Sequence, residues 1–102
     1  MEHTPGPWID SPNASDAIIS TNPDAMADAG MEVEYYGGAV ICESVARQNK
    51  PLIKAAPEML TALEAVVKAD QRFPDMDIPG YVMIPLRAAI AKARGRPPKK
   101  ES

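Results

Sequence analysis

The apolar positions change spacing about halfway along the chain. Before residue 47 they fall in short runs broken by turn formers, and after it they recur every three or four residues. Trp8-Ile9 follows Pro5 and Pro7, which hold an extended lead-in, and starts a first strand. Ser11 to Asp16 is dense in turn residues, and the β-branched run Ala17 to Thr21 gives a second strand. Asn22-Pro23-Asp24 ends it, and residues 25–30 read as a loop in preference to a short helical turn. Met31 to Tyr36 alternate apolar with acidic side chains, Ala39 to Ser44 form a second apolar run, and Gly37-Gly38 lie between. That pattern predicts a hairpin with one wet face.

Leu52, Ile53, Ala56, Leu60, Leu63, Val66 and Val67 then form a helical stripe. Pro57 inside it predicts a kink or two abutting helices, with Pro57 in the first turn of the second. Asp70 to Gly80, with Pro74 and Pro79, reads as a surface loop. Pro85 suits the first turn of a last helix with Leu86, Ala89, Ile90 and Ala93 inward and Gly95 as its cap. The expected fold is α+β: a small antiparallel sheet of about four short strands, followed by two C-terminal helices packed on it. Residues 1–95 make one domain and 96–102 a disordered basic tail.

Composition narrows the class. The chain of 102 residues has 45% hydrophobic side chains, with no apolar run long enough to span a bilayer and no leader pattern, so it is expected to be soluble and cytosolic. Cys42 is the single cysteine, which excludes an internal disulfide and reads as a small strand hydrophobe. The net charge of −3 is unevenly divided, because every Lys and Arg lies at or after Arg47. Such asymmetry steers association, and like subunits can pair acidic half to basic half; a solvated surface without a charged partner is the plainer alternative.

Little in the sequence suggests catalysis. His3, the single histidine, precedes the first strand, where a general base is poorly held. Asp70, Asp75 and Asp77 lack the spacing of a calcium loop, and no phosphate-cradling glycine loop or nucleophile elbow is present. No enzyme, cofactor or metal site is expected. The polar cluster of interest is Arg47, Gln48, Asn49 and Lys50, at the junction between the last strand and the first long helix. An arginine fork there grips phosphate and an asparagine amide reads a base edge or ribose hydroxyl. Alternatively Asn49 is simply a helix N-cap, with Arg47 and Lys50 solvated. Arg87 and Arg94 lie two turns apart on the last helix and either extend an anion surface or face water. Tyr35, Tyr36 and Tyr81 either stack on a base or join the core, Tyr35 reading more as core; Trp8 reads as a core anchor.

His3-Thr4-Pro5-Gly6-Pro7-Trp8, the segment Asn49 to Leu63 containing Ala55-Ala56-Pro57-Glu58-Met59-Leu60, and Ala89 to Gly95 resemble a group of small bacteriophage and prophage proteins with the same three motifs. Lys50-Pro51 stand where that group usually has Ala-Arg. The layout also resembles that of phage proteins that defeat the Thoeris defence by sequestering a cyclic ADP-ribose signal as oligomers, in pockets built from arginine and asparagine at subunit junctions. That likeness implies a non-enzymatic counter-defence protein of the bacterial host cytoplasm. It would bind a cyclic nucleotide through Arg47, Asn49 and Arg87 and assemble as a homo-oligomer, with no membrane or direct nucleic-acid contact. An acidic, nucleic-acid-mimicking inhibitor of a host defence nuclease such as a CRISPR effector is the alternative, and a small structural or regulatory phage protein is a third.

Overall fold

The computed structural model describes residues 3–96. The tail expected at 96–102 therefore lies outside the described residues, apart from Arg96. The elements are β1 (Trp8–Asp10), β2 (Ile18–Ser20), α1 (Pro23–Ala27), α2 (Glu32–Tyr36), β3 (Ala39–Cys42), a 3-10 turn (Arg47–Asn49), α3 (Lys50–Arg72), a second 3-10 turn (Pro74–Met76) and α4 (Gly80–Ala93). The class is α+β, with three strands rather than four. The chain divides into two compact units, Thr4–Pro57 and the remainder, so α3 contributes residues 50–57 to the first and its later turns to the second.

In the first unit the strands form an antiparallel meander with β2 in the centre. β2 pairs Trp8 with Ser20 and Asp10 with Ile18 on one side, and Ser20 with Ala39 on the other. Between Ile18 and Ile19 the register slips: Cys42 and Val40 oppose them, so β3 carries an extra residue. Ala17, Ile18, Ile19 and Ser20 are wholly buried, which explains why this strand shows no polar alternation. Cys42 is half-buried in β3.

The expected hairpin is absent. Glu32–Tyr36 is a helix, in which Val33 and Tyr36, three apart, are the half-buried positions and Met31 and Tyr35 are exposed. Gly37, at φ +85°, caps α2 by donating its N–H to the Val33 carbonyl at 2.9 Å instead of turning a hairpin. Gly38 is pressed against β2: a Cβ on it would lie 2.7 Å from both Ile19 Cδ1 and the Ser20 carbonyl oxygen. A short helix spans residues 23–27, taking in the start of the loop expected at 25–30. Asn22 is the N-cap, accepting the Asp24 N–H at 2.9 Å, and Pro23 fills the first position.

The N-terminal motif forms a folded strap. Three successive carbonyls are taken up by side chains: Trp8 Nε1 donates to Thr4 at 3.0 Å, Ser20 Oγ to Pro5 at 2.5 Å, and Asn22 Nδ2 to Gly6 at 3.0 Å. Gly6-Pro7 is a cis peptide. Trp8 is half-buried within this strap. Ser11 plays a similar part at the next turn, donating to the Tyr36 carbonyl at 2.6 Å and accepting from the N–H groups of Asn13 and Ala14.

α3 continues past Pro57 as one helix, not as two abutting helices. Its buried side chain is Leu60, whereas Leu52, counted in the apolar stripe, is 63% exposed. In the second unit α4 begins at Gly80, five residues before Pro85, because Pro79 is its N-cap and its carbonyl accepts the N–H groups of Val82 and Met83. The connecting segment is correspondingly shorter than the expected 70–80. The inward side chains of α4 are Met83, Leu86 and Ile90; Ala89 and Ala93 are exposed. Gly95, at φ +71°, ends the helix as expected: its N–H meets the Lys92 carbonyl and that of Arg96 the Ala91 carbonyl, a Schellman arrangement. Two ion pairs join α3 and α4 as antiparallel neighbours, Glu64 with Arg94 and Asp70 with Arg87.

Candidate functional site

The β1 end, the turn after it and the start of α3 enclose an open pocket of about 550 Å³ in the first unit, lined by Asp10, Ser15, Asp16, Arg47, Lys50, Pro51 and Lys54. Its cations share a helical stripe. Arg47, Lys50 and Lys54 are spaced three and four apart, so the 3-10 turn and the first turn of α3 set them in a row. The first turn of α3 also brings backbone N–H groups and the positive end of a long helix to the same place.

Asp10, at the end of β1, organises two of these cations. Lys50 Nζ lies 3.0 Å from Asp10 Oδ1 and Lys54 Nζ 3.0 Å from Asp10 Oδ2. Lys50 also donates to the Ser15 carbonyl. The hydrogen bond from Lys54, then that from Lys50, holds the Asp10 carboxyl below its ordinary value. Among the described residues Arg47 makes no ion pair, and it stands exposed at the pocket. The result is a mixed site: a fork-shaped cation open to solvent, two ammonium groups and two carboxylates. Phosphate fits the first set and sugar hydroxyls fit the second.

Of the residues singled out in the sequence, Arg47 and Lys50 line this pocket. Asn49 lies on the same 3-10 turn, immediately before α3, without lining the pocket. Arg87 belongs to the second unit, where it pairs with Asp70 at 3.5 Å. Arg94 is also engaged, forking onto Glu64 at 3.0 and 2.6 Å and holding that carboxyl below its ordinary value. Tyr35 is 70% exposed rather than core, edge-on to the half-buried Tyr36 at 4.7 Å; Tyr81 is also exposed. Lys54 was missed although its four-residue spacing from Lys50 signals it. Asp10 carries no local signal, since only strand pairing and the path of α3 bring it to the lysines.

No group of His, Cys, Asp and Glu able to hold a metal occurs among the described residues, and no helix among them is long and apolar enough to cross a membrane. Neither a curated protein nor a solved structure matches the chain. A family model does: that of Salmonella phage P22 protein Y8K6, over residues 1–97. With nearly its whole length matched, and with a strap and helix built from the motifs that suggested a small phage protein, the chain belongs to the Salmonella phage P22 protein Y8K6 family.

Proposed function

We propose that this phage protein captures a small phosphorylated nucleotide, of the cyclic ADP-ribose type, and holds it without chemistry, acting against a defence signal in the cytoplasm of the bacterial host. The observation that carries the reading is the row Arg47, Lys50 and Lys54 in one open pocket at the start of α3. Its volume lies within the range usual for small-molecule sites. Arg47 supplies a two-point grip on phosphate, the lysines add point charges, and Asp10 and Asp16 accept ribose hydroxyls. Asn49 and Arg87 are secondary in this reading, since neither lines the pocket.

The test is calorimetry with cyclic ADP-ribose, followed by heat denaturation and chromatography of the released ligand. Capture requires saturable binding, return of the ligand intact, and at least a tenfold loss of affinity in Arg47→Ala, about 1.4 kcal/mol. Absence of binding, or binding that Arg47→Ala leaves untouched, overturns the proposal. A chemically altered product would make the protein an enzyme.

One observation favours a second reading. Asp24, Asp28, Glu32, Glu34 and Glu43 are all exposed on α1, α2 and the segments adjoining them, with no Lys or Arg before Arg47. Burial first, and then Glu43 with smaller shares from Tyr35 and Glu32, raises Tyr36 above its ordinary value. Such a face suits a basic nucleic-acid-binding protein of the host. A complex of that kind weakens as salt rises and is insensitive to Arg47→Ala.

A further inference from the structure

We infer that the pocket at Arg47 selects the ribose phosphate of its ligand and ignores the base, with Asp16 as the residue that reads the sugar; this rests on the capture reading above and names what that site distinguishes. Ser15 and Asp16 are the central residues of a turn closed by the Ala17 N–H on the Ala14 carbonyl at 3.0 Å. Their own carbonyls are taken as well, that of Ser15 by Lys50 Nζ and that of Asp16 by the Val45 N–H at 2.8 Å. Val45 stands two residues before Arg47, so this last bond ties the turn to the segment that delivers the arginine. The backbone of Asp16 is therefore anchored while its side chain stays exposed at the pocket.

The two carboxylates of the pocket are not equivalent. Each oxygen of Asp10 lies 3.0 Å from a lysine Nζ, so the ammonium groups claim it ahead of any ligand. Asp16 and Arg47 line the same pocket, and among the described residues neither makes an ion pair. An acid and a base held at one mouth without meeting suit a ligand that brings a partner to each. The arginine fork takes an anionic phosphate, and the carboxylate, which only accepts hydrogen bonds, takes adjacent hydroxyls through its two oxygens. Ribose phosphate carries both groups on one small ring. A nucleobase finds less to hold: of the described residues that line the pocket only Pro51 is apolar and none is aromatic, so no ring stacks on the base. Selection by sugar and phosphate, with tolerance of the base, follows from that lining.

NMR titration of the full chain with adenosine, deoxyadenosine and guanosine monophosphates, beside cyclic ADP-ribose, tests this. The two ribonucleotides should bind alike, and the deoxynucleotide, which lacks one hydroxyl for Asp16, about tenfold more weakly. Asp16→Ala should bring adenosine and deoxyadenosine monophosphates level. Removing an acid from a cationic pocket raises affinity for every phosphate, so the ratio of the two, and not either affinity, is the readout. Asp16→Asn keeps the shape of the side chain and should narrow the gap; it decides the matter if circular dichroism shows that Asp16→Ala does not fold. Equal binding of the ribose and deoxyribose forms, a gap that survives both substitutions, a tenfold preference between the bases, or binding of cyclic ADP-ribose alone overturns this inference and leaves nucleotide capture standing. If none of the four ligands binds, the capture reading falls and this inference with it.

Discussion

A Cβ placed on Gly6 would lie 3.3 Å from Cβ of Pro57, so the N-terminal strap and the proline of α3 meet where only a glycine fits without adjustment. Two motifs far apart in sequence thus form one packing contact. Gly6→Ala is expected to destabilise modestly and Gly6→Val by about 1–3 kcal/mol, as overpacking does. Urea unfolding of both, with and without Pro57→Gly, which removes that Cβ, measures the coupling; relief of the Gly6→Ala cost by the second substitution is the expected sign.

Ser20→Ala should be costly for a residue so small. Its hydroxyl, fully buried on β2, donates to the Pro5 carbonyl and accepts the Asn22 N–H at 3.2 Å. Removing it strands both groups, at about 1–3 kcal/mol. A shift of the urea midpoint without a change in slope is the expected signature.

Two glycines separate steric from conformational demands. At Gly38 a methyl meets Ile19 and the Ser20 backbone, whereas at Gly30, φ +61°, nothing lies within 4 Å. Gly30→Ala should therefore cost only the left-handed conformation, about 1–2 kcal/mol. Gly38→Ala must displace the central strand, and its thermal midpoint should fall further.

Acid should weaken the fold in a defined direction. Arg94 holds Glu64 below its ordinary value of 4.5, and Lys54, then Lys50, hold Asp10 below 3.8. Both carboxyls are depressed in the folded chain, so their contribution is present above the ordinary values and is lost as pH falls through the lowered ones. The thermal midpoint of Glu64→Gln should lie below wild type at neutral pH and converge with it in acid.

Asp10 also competes with any anion for Lys50 and Lys54. Asp10→Asn leaves both ammonium groups in place but less occupied, so inorganic phosphate should bind several-fold more tightly to the variant than to wild type. Calorimetry at low salt reads this directly, and equal affinities would show that the lysines are held by other means.

The sequence exposes local chemistry well and competition between patterns poorly. Glu32 and Glu34 alternating with Met31, Val33 and Tyr35 before two glycines satisfy a hairpin pattern as well as a capped helix. The structure resolves it as the capped helix, with Gly37 in the left-handed cap position and Gly38 pressed against β2. Likewise Pro85 marks a helix start only if nothing earlier does, and Pro79 with Gly80 starts it first. The Gly95 cap and the Arg47 junction were legible because each is set by neighbours in the chain. Asp10 was not, because its role arises from residues 40 and 44 positions away.

The strap has a practical corollary. Since Pro5 and Gly6 are fastened through their carbonyls to Ser20 and Asn22, and β1 forms an edge of the sheet, residues 4–10 resemble a detachable peptide laid along that edge. A chain shortened to begin after Asp10 offers a binding slot for that peptide supplied separately, turning the head of the protein into a natural reporter for split-fragment assays.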